Sequence, residues 1–290
     1  MSGATHPLDR PLVVMCAPNG ARRAAADHPR LPVTLEAMLR EAEAAAEAGA
    51  VALHVHVRDD GGRHSLDPDL NRRWYETLQG RLGHRLVIQL TTEAAGRYGP
   101  EAQMAVVEAV RPESVSLALR ELAPAGDPAP AVVAFLARLA EWRVAPQFIL
   151  YTPGEVARLH ALRRRSLVPG TPPVLFVLGR HAGPDGRTDP RALDAFLALH
   201  DESCPWMVCA FGREETCALA HALACGGHAR VGFENALVHG DGRPAASNAE
   251  RVATVRTLAR LLGRPLADLA EARRMLGVDG RAATTTRRSG

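Results

Sequence analysis

The chain is 290 residues long, has a formal net charge of +3 and carries aromatic side chains at only 4% of its positions. This small charge, spread along the chain as arginines, predicts neither a nucleic-acid nor a membrane surface, and no apolar stretch approaches the roughly 18 residues of a membrane-spanning helix. All 35 basic residues are arginine, so the chain has no lysine. Arginine forms neither an imine nor a carbamate, which excludes lysine-imine aldolases, pyridoxal-phosphate enzymes and carbamylated-lysine metal sites.

The five cysteines are odd in number, show no Cys-x-x-Cys spacing and lie mostly within apolar runs. This pattern indicates reduced, buried thiols rather than a disulfide framework. Reduced thiols predict a cytoplasmic protein.

Apolar strand-like segments alternate with helix-like segments over the whole length. Strands are predicted at 11–17, 50–57, 86–90, 114–119, 147–150, 173–178, 206–210 and 228–232. Helices are predicted at 35–48, 68–78, 100–109, 131–142, 213–224, 248–262 and 266–276, with further helix starts at Thr152 and Asp189. Capping boxes are expected at Thr152 and at Ser247.

Eight strand–helix units predict an α/β fold, a single-domain (β/α)₈ TIM barrel. A doubly wound open sheet is the competing fold, but it usually has Gly-x-Gly-x-x-Gly after its first strand, and residues 17–22 do not match that pattern. The barrel is expected to span 11–278, between a flexible N-terminus (1–10) and a disordered tail (279–290).

His54 and His56 stand at the end of the second predicted strand. Side chains two apart on a strand point to the same face, and neutral imidazole is a good zinc ligand. A chain with 12 histidines also produces such a pair by chance. The pair therefore indicates either a metal site or solvated histidines at a strand end.

Glu234 follows the eighth predicted strand, which is one strand away from the second in a closed barrel. Two histidines and a carboxylate leave metal positions open for water or substrate, which is typical of catalytic sites. Glu234 can instead be a solvated loop residue or an ion-pair partner of Arg230. Arg58 is expected to point the same way as His56 and to bind a substrate carboxylate, unless it is a surface turn residue.

Several motifs resemble the β-keto acid cleavage enzyme family. They lie, in matching order and spacing, at 53–59, 175–179, 226–234, 246–250 and 271–277, so that the resemblance runs from about residue 11 to residue 277. It implies a zinc-bearing barrel that cleaves a β-keto acid with acetyl-CoA to give acetoacetate and a new acyl-CoA, in a homo-oligomer. By this resemblance His54, His56 and Glu234 are the zinc ligands, and Arg230, Thr91 and Ser116 belong to the active site.

The chain departs from the family pattern around this site. The family usually has Thr-Gly-Ala followed by an acidic residue, where this chain has Asn19-Gly20-Ala21-Arg22, and Ser/Thr-Thr-Gly-Gly, where this chain has Thr91-Thr92-Glu93-Ala94. The family motif Asn-x-Gly is replaced by Ala118-Leu119-Arg120, and Val-Pro-Gly-Gly is replaced by Arg180-His181-Ala182-Gly183. After the ligand glutamate the family has an aspartate, and this chain has Asn235. Asn19, Arg22 and Thr92 are therefore predicted to contact a different substrate. An amide cannot act as a carboxylate base, so Asn235 leaves that catalytic position altered.

Two explanations remain open for these departures. One is a divergent enzyme in which Glu93 is the base, unless Glu93 forms a salt bridge with Arg22 or Arg120. The added arginines then favour a more anionic substrate, such as a 3-oxo dicarboxylate or a phosphorylated acid.

The other explanation is a metal-binding protein that has lost the family reaction. A metal hydrolase of the amidohydrolase type is a further alternative. The ligand set suits zinc but also iron, manganese or nickel.

Overall fold

A computed structural model describes residues 6–124, 126–180 and 187–278. The predicted tail (279–290) and the predicted departures at 181–183 lie outside these residues. Within the predicted N-terminal segment, Pro7–Asp9 form a short 3₁₀ helix.

Eight parallel strands close into a barrel in sequential order, with each strand paired to the next and β1 paired to β8. The strands are β1 Val14–Cys16, β2 Ala52–Val55, β3 Val87–Thr91, β4 Ser114–Ala118, β5 Ala145–Leu150, β6 Val174–Leu178, β7 Trp206–Ala210 and β8 His228–Val231. The predicted TIM barrel is confirmed.

Ten α-helices surround or close the barrel in the described part of the chain. They are α1 Leu35–Ala48, α2 Pro68–Leu82, α3 Pro100–Val110, α4 Leu119–Leu122, α5 Pro130–Glu141, α6 Pro153–Arg164, α7 Ala192–Leu197, α8 Glu215–Ala224, α9 Asn248–Leu261 and α10 Leu269–Met275. None of these helices is long and apolar enough to cross a lipid bilayer.

Local signals explain most helix starts, and the exceptions are informative. Thr152 forms the expected capping box with Glu155. Ser247 caps α9, but the Glu250 carboxylate accepts from the Ala246 N–H, so the reciprocal bond of the box is shifted by one residue. Helix α7 begins three residues after Asp189, because that carboxylate bonds the Arg191 side chain and N–H instead of capping a helix.

The last helix starts later than predicted. Asp268 forms a second capping box with Glu271, so α10 begins at Leu269 rather than near residue 266. The β4 strand ends at Ala118, where the one-turn helix α4 starts, and this helix was not predicted.

The barrel interior is apolar at one end and polar at the other. Its apolar cluster includes Val13, Met15, Ala52 and Leu175, together with residues from α10. Leu12, just before β1, pairs with Leu266, just before α10, so this helix closes the end at which the strands begin. The opposite end, where the strands finish, carries the polar side chains described next.

Candidate metal centre and active-site cavity

His54 and His56 are buried at the finishing end of β2, and each is only 1% exposed. The alternative interpretation, that these are solvated histidines at a strand end, is therefore wrong. The two Nε2 atoms lie 3.1 Å apart, and Oε2 of Glu234 lies 3.6 Å from Nε2 of His54 and 3.4 Å from Nε2 of His56. These three side chains form the candidate metal centre of the described chain.

The spacing of the three atoms suits a zinc ion. Tetrahedral ligands at about 2.0–2.1 Å from zinc are roughly 3.3 Å from one another. The three observed separations bracket that value. Oε2 of Glu234 is buried and has no hydrogen-bond partner among the described residues, which is the arrangement expected of an atom reserved for a cation.

Gln89 fixes the orientation of His54. Its Oε1 lies 2.8 Å from Nδ1 of His54, while its Nε2 donates to Oγ of Ser114 and to Oε1 of Gln147. Because the amide oxygen accepts, Nδ1 of His54 carries the proton and Nε2 presents its lone pair to the centre. Burial also lowers the pKa of His54 to about 3, so the ring is neutral and able to bind a metal.

Glu234 has a different partner for each of its carboxylate oxygens. Oε1 accepts from Nη2 of Arg230 at 2.9 Å, and Oε2 faces the two imidazoles. Glu234 can therefore pair with Arg230 and belong to the metal centre at the same time. Burial alone would raise the pKa of Glu234, but Arg230, His56 and His54 together outweigh burial and hold this pKa well below its ordinary value.

Gly20 makes room for the Glu234 side chain. A Cβ atom at position 20 would lie 2.6 Å from Cγ of Glu234, and the backbone φ of Gly20 is +71°. Both features favour glycine. The loop after β1 therefore packs directly against a candidate metal ligand.

Arg58 holds that loop in place and does not line the cavity. It is 3% exposed, and its guanidinium donates to the carbonyls of Gly62, Gly20 and Arg23. This orientation differs from the predicted one, because the chain turns back after residue 58 and pairs it with His64. The surface-turn alternative is also wrong, since Arg58 is buried.

Asn19 and Thr92, predicted to contact substrate, bond to the backbone instead. Nδ2 of Asn19 donates to the carbonyls of Pro32 and His56, and Oγ1 of Thr92 donates to the carbonyl of Ser116. Both side chains are buried outside the cavity wall. They fix the position of the strand ends that carry the site.

A narrow cavity of about 20 Å³ lies over the metal centre. Thr91, Ser116 and Arg230, which were predicted to be active-site residues, all line it. Oγ of Ser116 and both Nε and Nη1 of Arg230 lack hydrogen-bond partners in the described chain. These groups are available to a bound molecule.

Glu121, Tyr151, Arg180 and Phe211 also line the cavity and were not predicted. Glu121 belongs to the unpredicted helix α4, and its carboxylate accepts from the N–H of Ala94 and from Gln103. Burial raises the pKa of Glu121. The Ala-Leu-Arg-Glu run after β4 was the only sequence signal for this residue.

Glu93 lies between two arginines at the mouth of the cavity. Its Oε1 is 3.1 Å from Nη2 of Arg180 and 3.8 Å from Nε of Arg22. The structure therefore contains the salt bridge between Glu93 and Arg22 that the sequence left open. Arg120, the other candidate partner, pairs with Glu155 instead. Oε2 of Glu93 lies 3.7 Å from Nδ1 of His56.

Asn235 is buried next to Glu234 but is not among the cavity-lining residues. Neither of its side-chain polar atoms has a partner within the described ranges. Its carbonyl accepts from the N–H of Gly212 and from Arg23. Asn235 therefore connects the β8 loop to its neighbours through its backbone.

Comparison with solved structures supports the fold. A ternary complex of ObcA with a C4-CoA adduct and oxalate superposes with a TM-score of 0.65 at 20% identity, over 86% of this chain and 68% of that chain. The 3-dehydroquinate dehydratase of Geobacillus kaustophilus superposes with a TM-score of 0.55 at 12% identity, over 87% of this chain and 91% of that chain.

Curated relatives match nearly the whole chain. The 3-oxoadipate:acetyl-CoA acetyltransferase of Cupriavidus necator is 28% identical over 287 residues, covering 94% of this chain and 99% of the relative. The 3-keto-5-aminohexanoate cleavage enzyme of Acetoanaerobium sticklandii is 28% identical over 272 residues, covering 92% and 98%. The 3,5-dioxohexanoate:acetyl-CoA acetone transferase of Paraburkholderia graminis is 26% identical over 310 residues, covering 95% and 98%.

The model of the β-keto acid cleavage enzyme family matches residues 11–278. This range contains the whole barrel and every residue of the candidate centre. The family resemblance read from the motifs is thereby confirmed, and so is the expectation of an enzyme. The chain belongs to the β-keto acid cleavage enzyme family.

Proposed function

We propose that this protein is a zinc-dependent enzyme that converts a β-keto acid and acetyl-CoA into acetoacetate and a new acyl-CoA. The observation that carries the proposal is the triangle of His54, His56 and Glu234 at the finishing end of the barrel. Acetyl-CoA as the co-substrate is supported by the names of two relatives. A zinc ion held by the three side chains would act as a Lewis acid on the keto oxygen of the substrate.

The reaction exchanges one carbon–carbon bond for another. A proton leaves C2 of the β-keto acid, and the resulting carbanion attacks the thioester carbonyl, which forms a carbon–carbon bond and releases the CoA thiolate. The thiolate then adds to the original keto carbon. Cleavage of the original C2–C3 bond forms the new acyl-CoA, and C2, now part of acetoacetate, takes a proton back.

Arg230 and Ser116 are suited to hold the reacting oxygens. Arg230 keeps one guanidinium nitrogen on Glu234, while Nε and Nη1 remain available at the cavity. Such fixed donors stabilise negative charge on oxygen, as in an oxyanion hole. Thr91 accepts from the N–H of Glu93, so its hydroxyl hydrogen is free to point into the same space.

Glu121 is the proton carrier that the cavity favours. Its pKa is raised by burial, which brings a carboxylate closer to the neutral range in which it can both take and return a proton. Glu93, the base expected from the sequence, is instead held in ion pairs with Arg180 and Arg22. The side-chain amide of Asn235 does not titrate, so it cannot act as the proton carrier.

The substrate is proposed to carry a second anionic group. Arg22 stands at the cavity mouth with its side chain 65% exposed, at a position where the family usually has an acidic residue. A guanidinium binds carboxylate or phosphate well. One relative is named for 3-oxoadipate, which is a 3-oxo dicarboxylate.

A mass-spectrometric assay with acetyl-CoA tests the proposal. We expect the zinc-loaded protein to form a new CoA thioester from 3-oxoadipate and less from 3-oxohexanoate, which has the same chain length but no distal carboxylate. Arg22→Ala should lower kcat/KM about tenfold for the dianion and about twofold for the monoanion. Arg40→Ala, on the exposed face of α1, is the matched control and should change neither.

Three outcomes would contradict the proposal. Equal losses of kcat/KM on both acids in Arg22→Ala would contradict the proposal of a dianionic substrate. Product formed from water without acetyl-CoA would favour the hydrolase alternative, and a metal-loaded protein inert with every β-keto acid would favour loss of the reaction. Homo-oligomerisation and a cytoplasmic location stay predictions.

Glu121→Gln and Glu93→Gln separate the two candidate bases. We expect Glu121→Gln to lower kcat at least 100-fold with little change in KM, because it removes the proton carrier. Glu93→Gln should retain most of kcat. The reverse pattern would return the role of base to Glu93.

A further inference from the structure

Three residues that depart from the family pattern come together at the cavity mouth. Arg22, Glu93 and Arg180 lie in three different loops, after β1, β3 and β6. Glu93 contacts both arginines through the same oxygen, Oε1. The departures noted separately in the sequence therefore form one charged cluster.

This cluster separates two spaces. The inner cavity over the metal centre measures about 20 Å³, which holds little more than one water molecule. An outer cavity of about 270 Å³ lies on the other side, and Glu93, Arg180, Phe211 and Glu234 line both. A keto acid is too large for the inner cavity alone, so a substrate that reaches the metal centre would also occupy the outer cavity, beside the Glu93–Arg180 pair.

Arg180 has a second contact besides Glu93. Its guanidinium carbon lies 4.7 Å from the centre of the Phe211 ring, in a cation–π contact that remains if Glu93 moves. Glu93 has another position within reach, because Nδ1 of His56 is 3.7 Å from its Oε2, is buried and has no partner in the described chain. A small rotation of Glu93 would form a hydrogen bond with this nitrogen.

We infer that Arg180 and Arg22 form an anion-binding subsite in which the Glu93 carboxylate is a built-in occupant, displaced by the distal carboxylate of the substrate. The two guanidinium groups face one carboxylate, and removing that carboxylate leaves both free to bind another. The three other charged groups of the outer cavity have partners of their own. Arg23 donates to the carbonyls of Glu234 and Asn235, and Asp27 accepts from the N–H of Ala24. The carboxylate of Glu234 accepts from Arg230. Only the identity of the anion as a substrate carboxylate rests on the proposed function.

Glu93 thereby sets a threshold for substrate charge. A monoanionic acid cannot compensate Arg180 when Glu93 leaves, because its single carboxylate is needed at the reacting end. A dianionic acid replaces the lost ion pair with an equivalent one. The cluster therefore selects against monoanions as well as binding dianions.

Titration calorimetry with unreactive acids tests this inference without any turnover. Glutarate serves as the dianion and butyrate as the monoanion, each added to the metal-loaded protein. We expect Glu93→Gln to bind glutarate about tenfold more tightly than the wild type, because the internal competitor has lost its charge. Arg180→Gln should bind glutarate about tenfold more weakly, and the affinity for butyrate should change less than twofold in the Arg180 variant.

The double variant provides the decisive comparison. If Glu93 acts by occupying Arg180, Glu93→Gln should give almost no gain once Arg180→Gln is present. Glu36→Gln, which removes a carboxylate paired with Arg40 on the surface of α1, is the matched control and should leave both affinities unchanged. Unfolding curves of the variants should overlay that of the wild type, since Glu→Gln keeps side-chain size and Arg180→Gln shortens a side chain at the cavity mouth.

Weaker or unchanged glutarate binding by Glu93→Gln, or equal losses of glutarate and butyrate affinity in Arg180→Gln, would overturn the inference. A gain in acetyl-CoA affinity without a gain for glutarate would also overturn it and would indicate a subsite for a CoA phosphate. Absence of turnover with β-keto acids would contradict the proposed function but would leave these binding results unaffected.

Discussion

Buried polar groups at the two ends of the barrel differ in whether they have hydrogen-bond partners. Where the strands begin, Arg264 is buried and donates through all three of its nitrogens, to the carbonyls of Arg10, Leu223, Gly226 and Gly227. Where the strands finish, several buried polar atoms lack partners within the described residues. They are Nδ1 of His56, Oγ of Ser116, Oε2 of Glu234, and Nε and Nη1 of Arg230.

This difference has an energetic meaning. A buried polar atom without a partner costs about 1–3 kcal/mol, whereas a satisfied one stabilises the fold modestly. The unpaired groups at the finishing end therefore serve binding at the expense of stability, whereas the fully paired Arg264 at the starting end serves stability. Substitutions at the two ends should separate activity from stability.

His56→Ala should have the largest effect on activity. It removes one of the three candidate ligands, so metal content should fall from about one ion per chain to near zero and kcat/KM by at least about 1,000-fold. Metal analysis and the acyl-CoA assay measure both. Since the His56 side chain makes no hydrogen bond outside the centre to any described residue, the metal-free variant should unfold within about 1.5 kcal/mol of the metal-free wild type. A variant that keeps its metal would remove His56 from the centre.

Arg264→Met should show the opposite behaviour. Methionine fills similar space but donates no hydrogen bonds, so four carbonyls at the starting end lose their partner and the free energy of unfolding should fall by about 3–4 kcal/mol. Urea unfolding measures the loss, while metal content and kcat/KM of the folded protein should stay within twofold. Arg260→Met, on the exposed side of α9, is the control and should change stability by less than about 0.5 kcal/mol. A large loss of activity at unchanged stability would contradict the contrast between the two ends.

Gly20→Ala tests whether the loop after β1 positions Glu234. The new methyl group would overlap Cγ of Glu234, so we expect metal affinity to fall about 10-fold to 100-fold, as for other groups that orient metal ligands. Competition with a chelator measures the affinity. Gly62→Ala is a close control: φ is +73° there and +71° at Gly20, but a Cβ at position 62 would only meet Val33 at 3.9 Å. Equal effects of both substitutions would show that backbone strain alone is responsible.

The sequence predicted the fold well because strand and helix periodicity repeats locally eight times. It also placed His54, His56 and Glu234 at the ends of β2 and β8, the two strands that flank β1, since barrel order follows chain order. The structure brings these three side chains together at the predicted end. Their role as metal ligands stays a proposal.

Side-chain direction beyond the strand ends was not predictable. Arg58 continues the His-x-His alternation in sequence, but the chain turns back there and buries its guanidinium against loop carbonyls. Glu93 and Arg180 are 87 residues apart and meet only because two loops converge. Such contacts depend on loop paths, for which local sequence patterns carry little information.

The last prediction concerns pH and the starting end of the barrel. Nδ1 of His228 accepts a hydrogen bond from the N–H of Val13 at 3.1 Å, and burial, with help from the charges of Arg264 and Arg10, lowers the pKa of His228 to about 3. The unfolded chain binds a proton at this residue near pH 6.5, whereas the folded protein does so only near pH 3. Stability from His228 is therefore complete above pH 6.5 and falls as the pH decreases through this window.

His228→Asn should remove that dependence, because the amide oxygen of asparagine can accept the same hydrogen bond without titrating. Between pH 7 and pH 5.5 the wild type should lose about 1 kcal/mol more stability than the variant, as measured by urea unfolding at several pH values. At pH 8 histidine is neutral in both states, so the difference between the two proteins there reports packing alone. Parallel stability curves over the whole range would show that His228 takes up its proton equally in the folded and unfolded chain. Burial at the starting end would then impose no cost on protonation of His228, and the contrast between the two ends of the barrel would be weaker.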